Sequence, residues 1–377
     1  MFSFYIVLFT FFSCSSSNVN KDSGQLCLGV SGTKSEMNYF KNHFEITEIV
    51  AIQTNDTSLV PDIKRLIRYK DKIIILSGKT NQIFVVNAKD GKIEKCICKL
   101  GSGPGESRTI LDIAFDESSE QILVYNDYSK LSFLDMRGRF LSEIKIDGLF
   151  EEIAVDNGKI IFYNKLEGYS CYPYMLKIFD LKDKTWKDAG RNDKIDFPIR
   201  SQGNQLVKSK RLWFSAPLDF SLFFYEEQQL KSPYKLDIPA SELNESLIKK
   251  SVSDPQAFFR EVMDGNLIYG LNSIRETSDY LVFRSNRNGL FIINKEDNKV
   301  YWDKIVEEET LGMDMANYYY PYEGDDDKIL FILLPENYVK HHQLATEHMS
   351  MRKIDSLKMK EDDNPILIFY KQKKDLK

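Results

Sequence analysis

The chain repeats one pattern of apolar and polar positions about six times. An apolar run, a short polar turn, a second apolar run, a tight turn and a third strand succeed one another, as in residues 71–98 and again in residues 121–146. A unit of this kind cannot bury both of its faces alone, so its copies must pack against one another. The pattern therefore predicts one repeat architecture rather than several unrelated domains.

The copies are marked by apolar runs that suit buried strands. The leading runs begin at Ile73, Ile122, Ile160, Leu212, Leu281 and Ile329. Residues 73–76 and 83–86 are apolar at every position, which indicates strands that are covered on both faces. A further strand precedes several of the copies, for example at residues 63–69 and 110–115. Each copy is therefore predicted to have four antiparallel strands.

Four antiparallel strands per unit, repeated radially, describe the blade of a β-propeller. We therefore predict an all-β fold, a six-bladed β-propeller with two short helical insertions. A β-sandwich is the main alternative, but a sandwich predicts no sequence pattern that recurs at about 40 to 50 residues. The strand at residues 44–52 has no blade of its own. We predict that it closes the ring by pairing with the last sheet, which removes exposed sheet edges.

The two insertions are predicted from helix signals between the strand repeats. Asp254 and Pro255 provide an N-cap and a first helical residue, and Gly265 lies at the end of the stretch. These residues place the first insertion near residues 241–264, between the fourth and fifth blades. A second insertion near residues 338–360 carries apolar residues at roughly helical spacing and interrupts the sixth blade.

Residues 1–13 are predicted to be a signal peptide, because their apolar run of roughly a dozen residues is too short to span a bilayer. The run ends in Phe12-Ser13-Cys14 followed by serines, which resembles the lipobox of bacterial lipoproteins. The resemblance implies cleavage before Cys14, diacylation of Cys14 and membrane anchoring. A secreted protein whose Cys14 belongs to the leader is the alternative. Residues 14–38 have the composition of a flexible tether, and residues 39–377 are predicted to be the propeller.

A glycine-rich loop and the end of the chain resemble a known family. Gly101-Ser102-Gly103-Pro104-Gly105-Glu106 resembles the Gly-x-Gly-Pro-Gly-Glu loop of lipid-anchored six-bladed β-propellers of Gram-negative cell envelopes, which are related in architecture to NHL-repeat propellers. Residues 363–371 are similar to the closing strand of that family. The resemblance implies the fold and an outer-membrane lipoprotein, on either the periplasmic or the exterior side. It implies no activity, because one fold hosts many functions.

The same loop is predicted to have a structural role. Its structural residues are Gly101, Gly103, Pro104, Gly105 and Glu106. The glycines around a proline let the backbone turn sharply between neighbouring blades, and Glu106 is predicted to cap free amides. The loop lacks the Lys-Ser/Thr pair of a phosphate-binding P-loop, so it does not indicate a nucleotide site.

Charge and cysteine content exclude several classes of function. The 51 basic and 56 acidic residues give a net charge of -5 without a long block of either sign, so the chain has no electrostatic footprint for nucleic acid. Apart from Cys14, the cysteines Cys27, Cys96, Cys98 and Cys171 fit no disulfide framework, and we predict buried free thiols. The histidines fit no metal-binding motif. We expect no cofactor, no metal and no catalytic constellation.

The turns at one end of the ring form the candidate ligand-binding face. In propellers, the turns between the second and third strands and the segments that link blades gather at one mouth of the central channel, where ligands dock. Here they contribute Lys79, Asn81, Asn126, Asp127, Tyr128, Glu167, Tyr169, Asp219, Arg284, Asn286 and Arg287. Ordinary surface loops are the alternative for these residues. The tyrosines of residues 318–322 favour either core packing or a stacking platform.

These features together predict a monomeric, lipid-anchored binding or scaffold protein of the cell envelope. Its partners would be the membrane, through the N-terminal lipid, and a protein or glycan that is captured at the channel mouth. The competing prediction is an enzyme, a lyase or hydrolase of the kind that NHL-like propellers support, with its active site at the same mouth. Such an enzyme would need a compact set of titratable groups or a metal in the channel.

Overall fold

β-Strands joined by short turns make up most of the computed structural model. The residues that it describes are 18–20, 25–31, 38–55, 58–97, 101, 103, 105–164, 174–191, 203–227, 229–238, 243–308, 313–324, 326–339 and 360–373. The N-terminal part contributes strands β1 and β2, helix α1 and strand β3, which span Asn18–Asn20, Gln25–Ser31, Tyr39–His43 and Phe44–Ala51.

Three separate antiparallel sheets follow along the chain, and each is a meander of four strands. The first meander has strands β4 to β7, Arg65–Tyr69, Lys72–Ser77, Gln82–Asn87 and Ile93–Ile97. The second has strands β8 to β11, Ile110–Asp116, Gln121–Asn126, Lys130–Asp135 and Phe140–Lys145. The third has strands β12 to β15, Glu152–Asp156, Lys159–Tyr163, Tyr174–Asp180 and Trp186–Arg191. The middle strands of the first two meanders are buried along nearly their whole length, as their continuous apolar runs predict.

The fourth and fifth meanders are joined by the N-terminal strand β2. The fourth has strands β16 to β19, Val207–Lys208, Leu212–Phe214, Ser221–Glu226 and Gln229–Asp237. The fifth has strands β20 to β23, Leu271–Glu276, Tyr280–Ser285, Leu290–Asn294 and Lys299–Asp303. Strand β2 pairs in parallel with β19 on one side and with β23 on the other, while β1 pairs with β2. Residues 25–31, whose composition suggested a flexible tether, are therefore part of a sheet.

Two helices lie between the fourth and fifth meanders, where the sequence predicts the first insertion. They are α2 and α3, Glu245–Ser253 and Pro255–Asp264. Asn244 caps α2 by accepting a hydrogen bond from the Leu247 N–H, and Asp254 caps α3 by accepting one from the Ala257 N–H. No helix in the described part of the chain has both the length and the apolar character that a membrane span needs. Residues 340–359 of the second predicted insertion lie outside the described residues.

The last sheet joins the C-terminal strands to the N-terminal strand β3. A hairpin of strands β24 and β25 precedes it, Glu307–Glu308 and Met313–Asp314. The sheet itself contains strands β26 to β28, Tyr319–Tyr320, Ile329–Leu333 and Ile366–Gln372. Strand β28 pairs with β27 on one side and with β3 on the other, from Ile366 opposite Ala51 to Gln372 opposite Phe44. The prediction that the strand at residues 44–52 pairs with the last sheet is confirmed.

The first strand of each meander lies nearest the centre of the fold. Strand β8 contacts β4 and β12, and β16 contacts β12 and β20, so the first strands of successive meanders meet. The strongly apolar second strands, which mark the repeat in the sequence, lie one place farther out. Hydrophobic clusters fill the spaces between neighbouring meanders, and one of them joins side chains of β4 to β6 with side chains of β8 to β10. The fold is therefore mostly β and propeller-like.

Candidate functional site

A buried cluster of charged side chains lies where the innermost strands meet. Arg65 of β4 donates hydrogen bonds to both carboxylate oxygens of Asp112 on β8, with Nε 2.9 Å from Oδ1. Its Nη1 atom donates to the Leu206 carbonyl at 2.8 Å and lies 3.5 Å from Oε1 of Glu323. Its Nη2 atom lies 3.6 Å from Oε2 of Glu152 on β12. One guanidinium thus connects the innermost elements of several sheets, and we call these four charged residues the central cluster.

Backbone amides complete the contacts of two of these carboxylates. Asp112 accepts a hydrogen bond from the Ile153 N–H at 2.8 Å, and Glu152 accepts bonds from the N–H groups of residues 205–206, each at 2.8 Å. Burial by itself would lower the pKa of Arg65, but the carboxylates, Asp112 first, raise that pKa well above its ordinary value. Removing one partner from such a buried ion cluster is strongly destabilising, because the remaining charges are not solvated.

Glu323 is the exception within the central cluster. Its Oε1 atom is buried and has no hydrogen-bond partner. Burial raises the pKa of Glu323 to about 8, against the opposing effect of Arg65. Three carboxylates surround one guanidinium, so a proton on Glu323 removes part of the excess negative charge. Within the central cluster, burial therefore favours the protonated form of Glu323.

A pocket with a volume of about 590 Å³ is lined by the segment that precedes β4 and by parts of the fifth and last sheets. It lies at the end of the fold where the turns between second and third strands are found, and we call it the mouth pocket. Its walls come from residues 59–63 before β4, Lys79, Arg284, residues 317–320 at the start of β26, and residues 334–337 and 361–363 of the last sheet's connection. The first, fifth and last sheets therefore contribute to one concave surface.

Two cations of the mouth pocket come from turns that the sequence predicts to bind ligand. Asp62 holds the turn between β5 and β6 by accepting hydrogen bonds from the Ser77 hydroxyl and from two backbone N–H groups, and Lys79 of this turn is exposed. Arg284 at the end of β21 is half-buried, with Nη1 3.4 Å from the Asn317 carbonyl. Its Nε atom is buried without a partner, and burial lowers the pKa of Arg284. Arg284 thus retains a donor that its own chain does not satisfy.

Three consecutive tyrosines supply the aromatic surface of the mouth pocket. Tyr319 is buried, and its hydroxyl donates to the Ser273 carbonyl at 2.8 Å. The Tyr320 hydroxyl accepts a hydrogen bond from the Asn204 amide at 3.2 Å, and burial raises the pKa of Tyr320. Tyr318 and Tyr320 are both half-buried. All three tyrosines pack in or against hydrophobic core clusters, which is one of the two roles that the sequence left open, and all three also line the pocket.

The mouth pocket has more carboxylates than cations. Beside its two cations, it is lined by Asp62, Glu336, Glu361, Asp362 and Asp363. This excess of negative charge disfavours an anionic ligand. An aromatic face next to convergent hydrogen-bonding groups suits a ligand with one apolar face and many hydroxyls. In the described part of the chain no three His, Cys, Asp or Glu side chains are grouped so as to hold a metal ion.

The predicted binding face divides into pocket residues and structural residues. Lys79 and Arg284 line the mouth pocket. Asn81 and Asp127 accept hydrogen bonds from backbone N–H groups of the segment that enters β8, so they fix the connection between the first two meanders. Asn126 is fully buried and donates to the hydroxyls of two serines. These three side chains are engaged within the fold.

The other predicted residues lie apart from the mouth pocket. Tyr128 is exposed on a turn of the second meander, and Asp219 accepts a hydrogen bond from a backbone N–H of its own turn. Asn286 and Arg287 line a separate pocket of about 250 Å³ at the outer side of the fifth meander. The residues that lie outside the described part of the chain are Cys14, Glu167 and Tyr169.

The glycine-rich loop connects the first two meanders. The Glu106 carboxylate accepts a hydrogen bond from the Gly103 N–H at 2.9 Å, and the Glu106 N–H donates to the Gly103 carbonyl at 3.0 Å. Gly105 has a φ of 70°, and a Cβ atom there would lie 2.6 Å from a ring carbon of Phe140. Only glycine fits this position without displacing the ring. Pro104 lies outside the described residues.

A third pocket, of about 330 Å³, lies at the opposite end of the innermost strands. It is formed by the turns between first and second strands, and both Glu323 and Arg68 line it. The Nη2 atom of Arg68 donates to Glu48 at 3.0 Å, whereas its Nη1 atom is buried without a partner. The lining of this pocket therefore includes two residues that each have an unsatisfied buried atom.

Sequence reasoning missed the central cluster and the carboxylates of the mouth pocket. The available signal for the cluster was a charge inside an apolar strand, such as Asp112 within residues 110–115. A charged residue in a strand that is buried on both faces needs a partner from another strand. Glu336 and Glu361 carry no comparable signal, because ordinary polar surface has the same composition.

Comparison with known proteins identifies a family and two similar folds. The family model described as "Domain of unknown function (DUF4934)" matches residues 31–371. A Bacteroides fragilis protein described as exported has 16% sequence identity and a TM-score of 0.74, with 92% of this chain and 99% of that chain covered. A member of the DUF4221 family from Bacteroides vulgatus has 11% identity and a TM-score of 0.55, with 88% and 99% covered. No curated protein matches the sequence.

Proposed function

We propose that this chain, which belongs to the DUF4934 family of domains of unknown function, is a lipid-anchored binding protein of the cell envelope. It captures a glycan at the mouth pocket of a six-bladed β-propeller. The observation that carries this proposal is the mouth pocket itself, which Tyr318 and Arg284 line together with several carboxylates. A segment of a partner protein is the second ligand class that such a surface can hold.

The number of blades is proposed from the strand pairing. Three meanders and the last sheet are separate groups of four strands, and the larger sheet divides at β2 into two further meanders, β16 to β19 and β20 to β23. Strand β3 supplies the fourth strand of the last group. Six groups of four antiparallel strands support a closed ring of six blades. An experimental structure of the mature chain with another number of blades would contradict this proposal.

The lipid anchor is proposed from the lipobox-like residues before and at Cys14. Attached acyl chains contribute about 0.8 kcal/mol per buried CH₂, and two or more of them hold a protein stably on a membrane. We expect Cys14→Ala to abolish labelling with palmitate and to move the protein from the detergent phase to the aqueous phase. Unchanged partitioning of this variant would show that the anchor does not exist.

A glycan suits the mouth pocket for two physical reasons. A sugar ring has an apolar face that stacks on an aromatic side chain, and Tyr318 offers such a face. Sugar hydroxyls are both donors and acceptors, so they pair with carboxylates and with the guanidinium of Arg284. The excess of carboxylates favours neutral or amine-bearing sugars over acidic ones.

An array of defined neutral, amine-bearing and acidic glycans, probed with the fluorescently labelled protein, tests this proposal. We expect binding to neutral or amine-bearing glycans, and we expect Tyr318→Ala to weaken it roughly tenfold, because an aromatic contact contributes about 0.5 to 1.5 kcal/mol beyond its buried area. Tyr128→Ala is the matched control, since Tyr128 is exposed on another turn. An equal loss of glycan binding in both variants, or binding of the protein only to a peptide array, would contradict glycan capture at this pocket.

A hydrolase or lyase remains the second candidate because of Glu323. Glu323 lines the third pocket, its pKa is raised, and its Oε1 atom has no hydrogen-bond partner, which are the properties of a general acid or base. A panel of p-nitrophenyl glycosides and esters tests this activity. Turnover that is lost in Glu323→Gln while the variant keeps its thermal unfolding temperature would favour the enzyme. A panel without turnover would remove its support.

A further inference from the structure

The pocket at the outer side of the fifth meander is distinct from the mouth pocket in charge. The Arg287 guanidinium and the Lys304 ammonium each lie 5.0 Å from the ring centre of Trp302, and we call this site the Trp302 pocket. Two cations therefore converge on one indole. No carboxylate is among the described residues that line the pocket. Its charge is opposite to that of the mouth pocket, so it suits an anionic ligand.

Exposed apolar side chains lie next to these cations. Met263 of α3 lines the Trp302 pocket and is 73% exposed. Phe259, one helical turn earlier, is 39% exposed, and Ile305, which follows Lys304 in the chain, is 47% exposed. Large apolar side chains and an indole beside basic residues are typical of surfaces that enter the headgroup region of a bilayer.

The N-terminal strands bring the proposed lipid anchor close to this surface. Strand β2 runs parallel to β23, and its last residue Ser31 is opposite Tyr301, the neighbour of Trp302. Strand β1 is antiparallel to β2, with Asn18 opposite Cys27. The first residue of β1 therefore lies four positions from Ser31 along β2, at the end of β1 that is nearer to Ser31.

The length of chain between the anchor and β1 is short. Cys14 precedes Asn18 by four residues, which span at most about 14 Å. The four steps from Cys27 to Ser31 in strand β2 cover a similar length of about 13 Å. Acyl chains on Cys14 would therefore be within reach of the Trp302 pocket and would hold this side of the fold near the bilayer.

We propose that the Trp302 pocket is a membrane-docking site that binds the phosphate of an anionic phospholipid headgroup. Arg287 and Lys304 contact the phosphate, and Met263 and Phe259 enter the boundary between headgroups and acyl chains. The proposal rests on the proposed lipid anchor. It also orients the ring, because Arg284 of the mouth pocket belongs to the same strand end as Arg287. A glycan bound in the mouth pocket lies on the membrane-proximal end of the protein.

The test uses the full-length lipidated protein in vesicles of phosphatidylcholine with or without phosphatidylglycerol, with lipids brominated near the headgroup as quenchers. Trp186→Phe removes the partly exposed second tryptophan, while Trp213 is fully buried. We expect the fluorescence of Trp302 to be quenched when phosphatidylglycerol is present. Arg287→Glu together with Lys304→Glu should lower the docking equilibrium constant at least about thirtyfold, because each basic residue near an anionic surface contributes about fivefold.

The control carries the same change in charge at another place. Arg137→Glu together with Lys182→Glu alters two exposed residues on outer turns of the second and third meanders, and it should leave the quenching unchanged. If the charge-reversed protein does not fold, Met263→Glu tests the same surface at an exposed position. If the protein binds vesicles but the quenching of Trp302 fluorescence does not depend on phosphatidylglycerol, the proposed docking site is wrong and the lipid anchor is not affected. Protein that does not bind vesicles at all would instead overturn the lipid anchor.

Discussion

The central cluster and the mouth pocket use the same side-chain types in opposite ways. Arg65 in the cluster directs its nitrogen atoms at carboxylates and a backbone carbonyl of neighbouring sheets. Arg284 in the pocket has one long contact, 3.4 Å, and an Nε atom without a partner. Arg65 is therefore the cation that holds neighbouring sheets together, whereas the guanidinium of Arg284 is the one that is able to bind a ligand.

The largest expected effect is the loss of the central guanidinium. Arg65→Met leaves three buried carboxylates without their cation, so we expect the free energy of unfolding to fall by about 3 to 5 kcal/mol. Urea unfolding followed by circular dichroism measures this change. Arg139→Met is the matched control, because Arg139 pairs with Asp135 on the surface and should cost less than about 1 kcal/mol. Similar losses in both variants would contradict a structural role that is specific to the centre.

The second effect is a pH dependence that comes from Glu323. Its pKa is raised from 4.5 to about 8, so the folded state binds this proton more tightly than the unfolded state. The contribution of this proton to the free energy of unfolding is fully present below pH 4.5. It falls by up to about 1.4 kcal/mol per pH unit as the pH rises from 4.5, and it is lost once the pH has risen through about 8. Glu323→Gln should flatten this decline and should be more stable than the parent above about pH 8. Parallel stability curves for the two proteins would show that Glu323 is already ionised in the fold.

A smaller effect on stability is expected in the mouth pocket. Arg284→Met removes a buried nitrogen that has no partner, so the free energy of unfolding should change by less than about 1 kcal/mol. The same change should weaken glycan binding at least tenfold, because a charge-assisted hydrogen bond contributes about 1.5 to 3 kcal/mol. Unfolding and glycan-array measurements on one preparation give both values. A loss of stability as large as that of Arg65→Met would remove the distinction between the two regions.

The smallest expected effect concerns the exposed carboxylates of the pocket. Glu336→Gln with Glu361→Gln should leave the free energy of unfolding within about 0.5 kcal/mol of the parent, because both side chains are exposed. Binding of amine-bearing glycans should weaken severalfold, while binding of neutral ones should change less. Titration against one glycan of each kind separates these outcomes. Equal changes for both glycans would indicate that the negative charge does not select the ligand.

Local patterns in the sequence were sufficient for most of the strands and for the closing pair. Continuous apolar runs such as residues 73–76 can only be covered on both faces within a stack of sheets, and the strand at residues 44–52 lacked a local partner. Strand β2 was assigned to the tether because its surroundings are polar. Leu26, Leu28 and Val30 nevertheless alternate with other residues, and this period of two was the signal of a strand.

The candidate site was less predictable because it is assembled from distant segments. Lys79 and Arg284 were recognisable from their positions, yet Asn81 on the same turn as Lys79, and Asp127 on the equivalent turn of the second meander, accept hydrogen bonds from backbone N–H groups instead. Turn position alone does not distinguish a side chain that faces a ligand from one that caps its own loop. Residues 361–363 line the mouth pocket only because the last sheet folds back after a long connection. No local sequence pattern predicts that placement.

The pairing of β3 with β28 also constrains when the last sheet can form. Strand β3 is synthesised early, whereas its partner at Ile366–Gln372 follows all the other described strands. A nascent chain therefore carries an unpaired strand edge until β28 has emerged, and contacts of such high sequence separation form slowly. Termination before β28 would leave this edge of β3 open. The last sheet thus reaches its full width only after β28 has been synthesised.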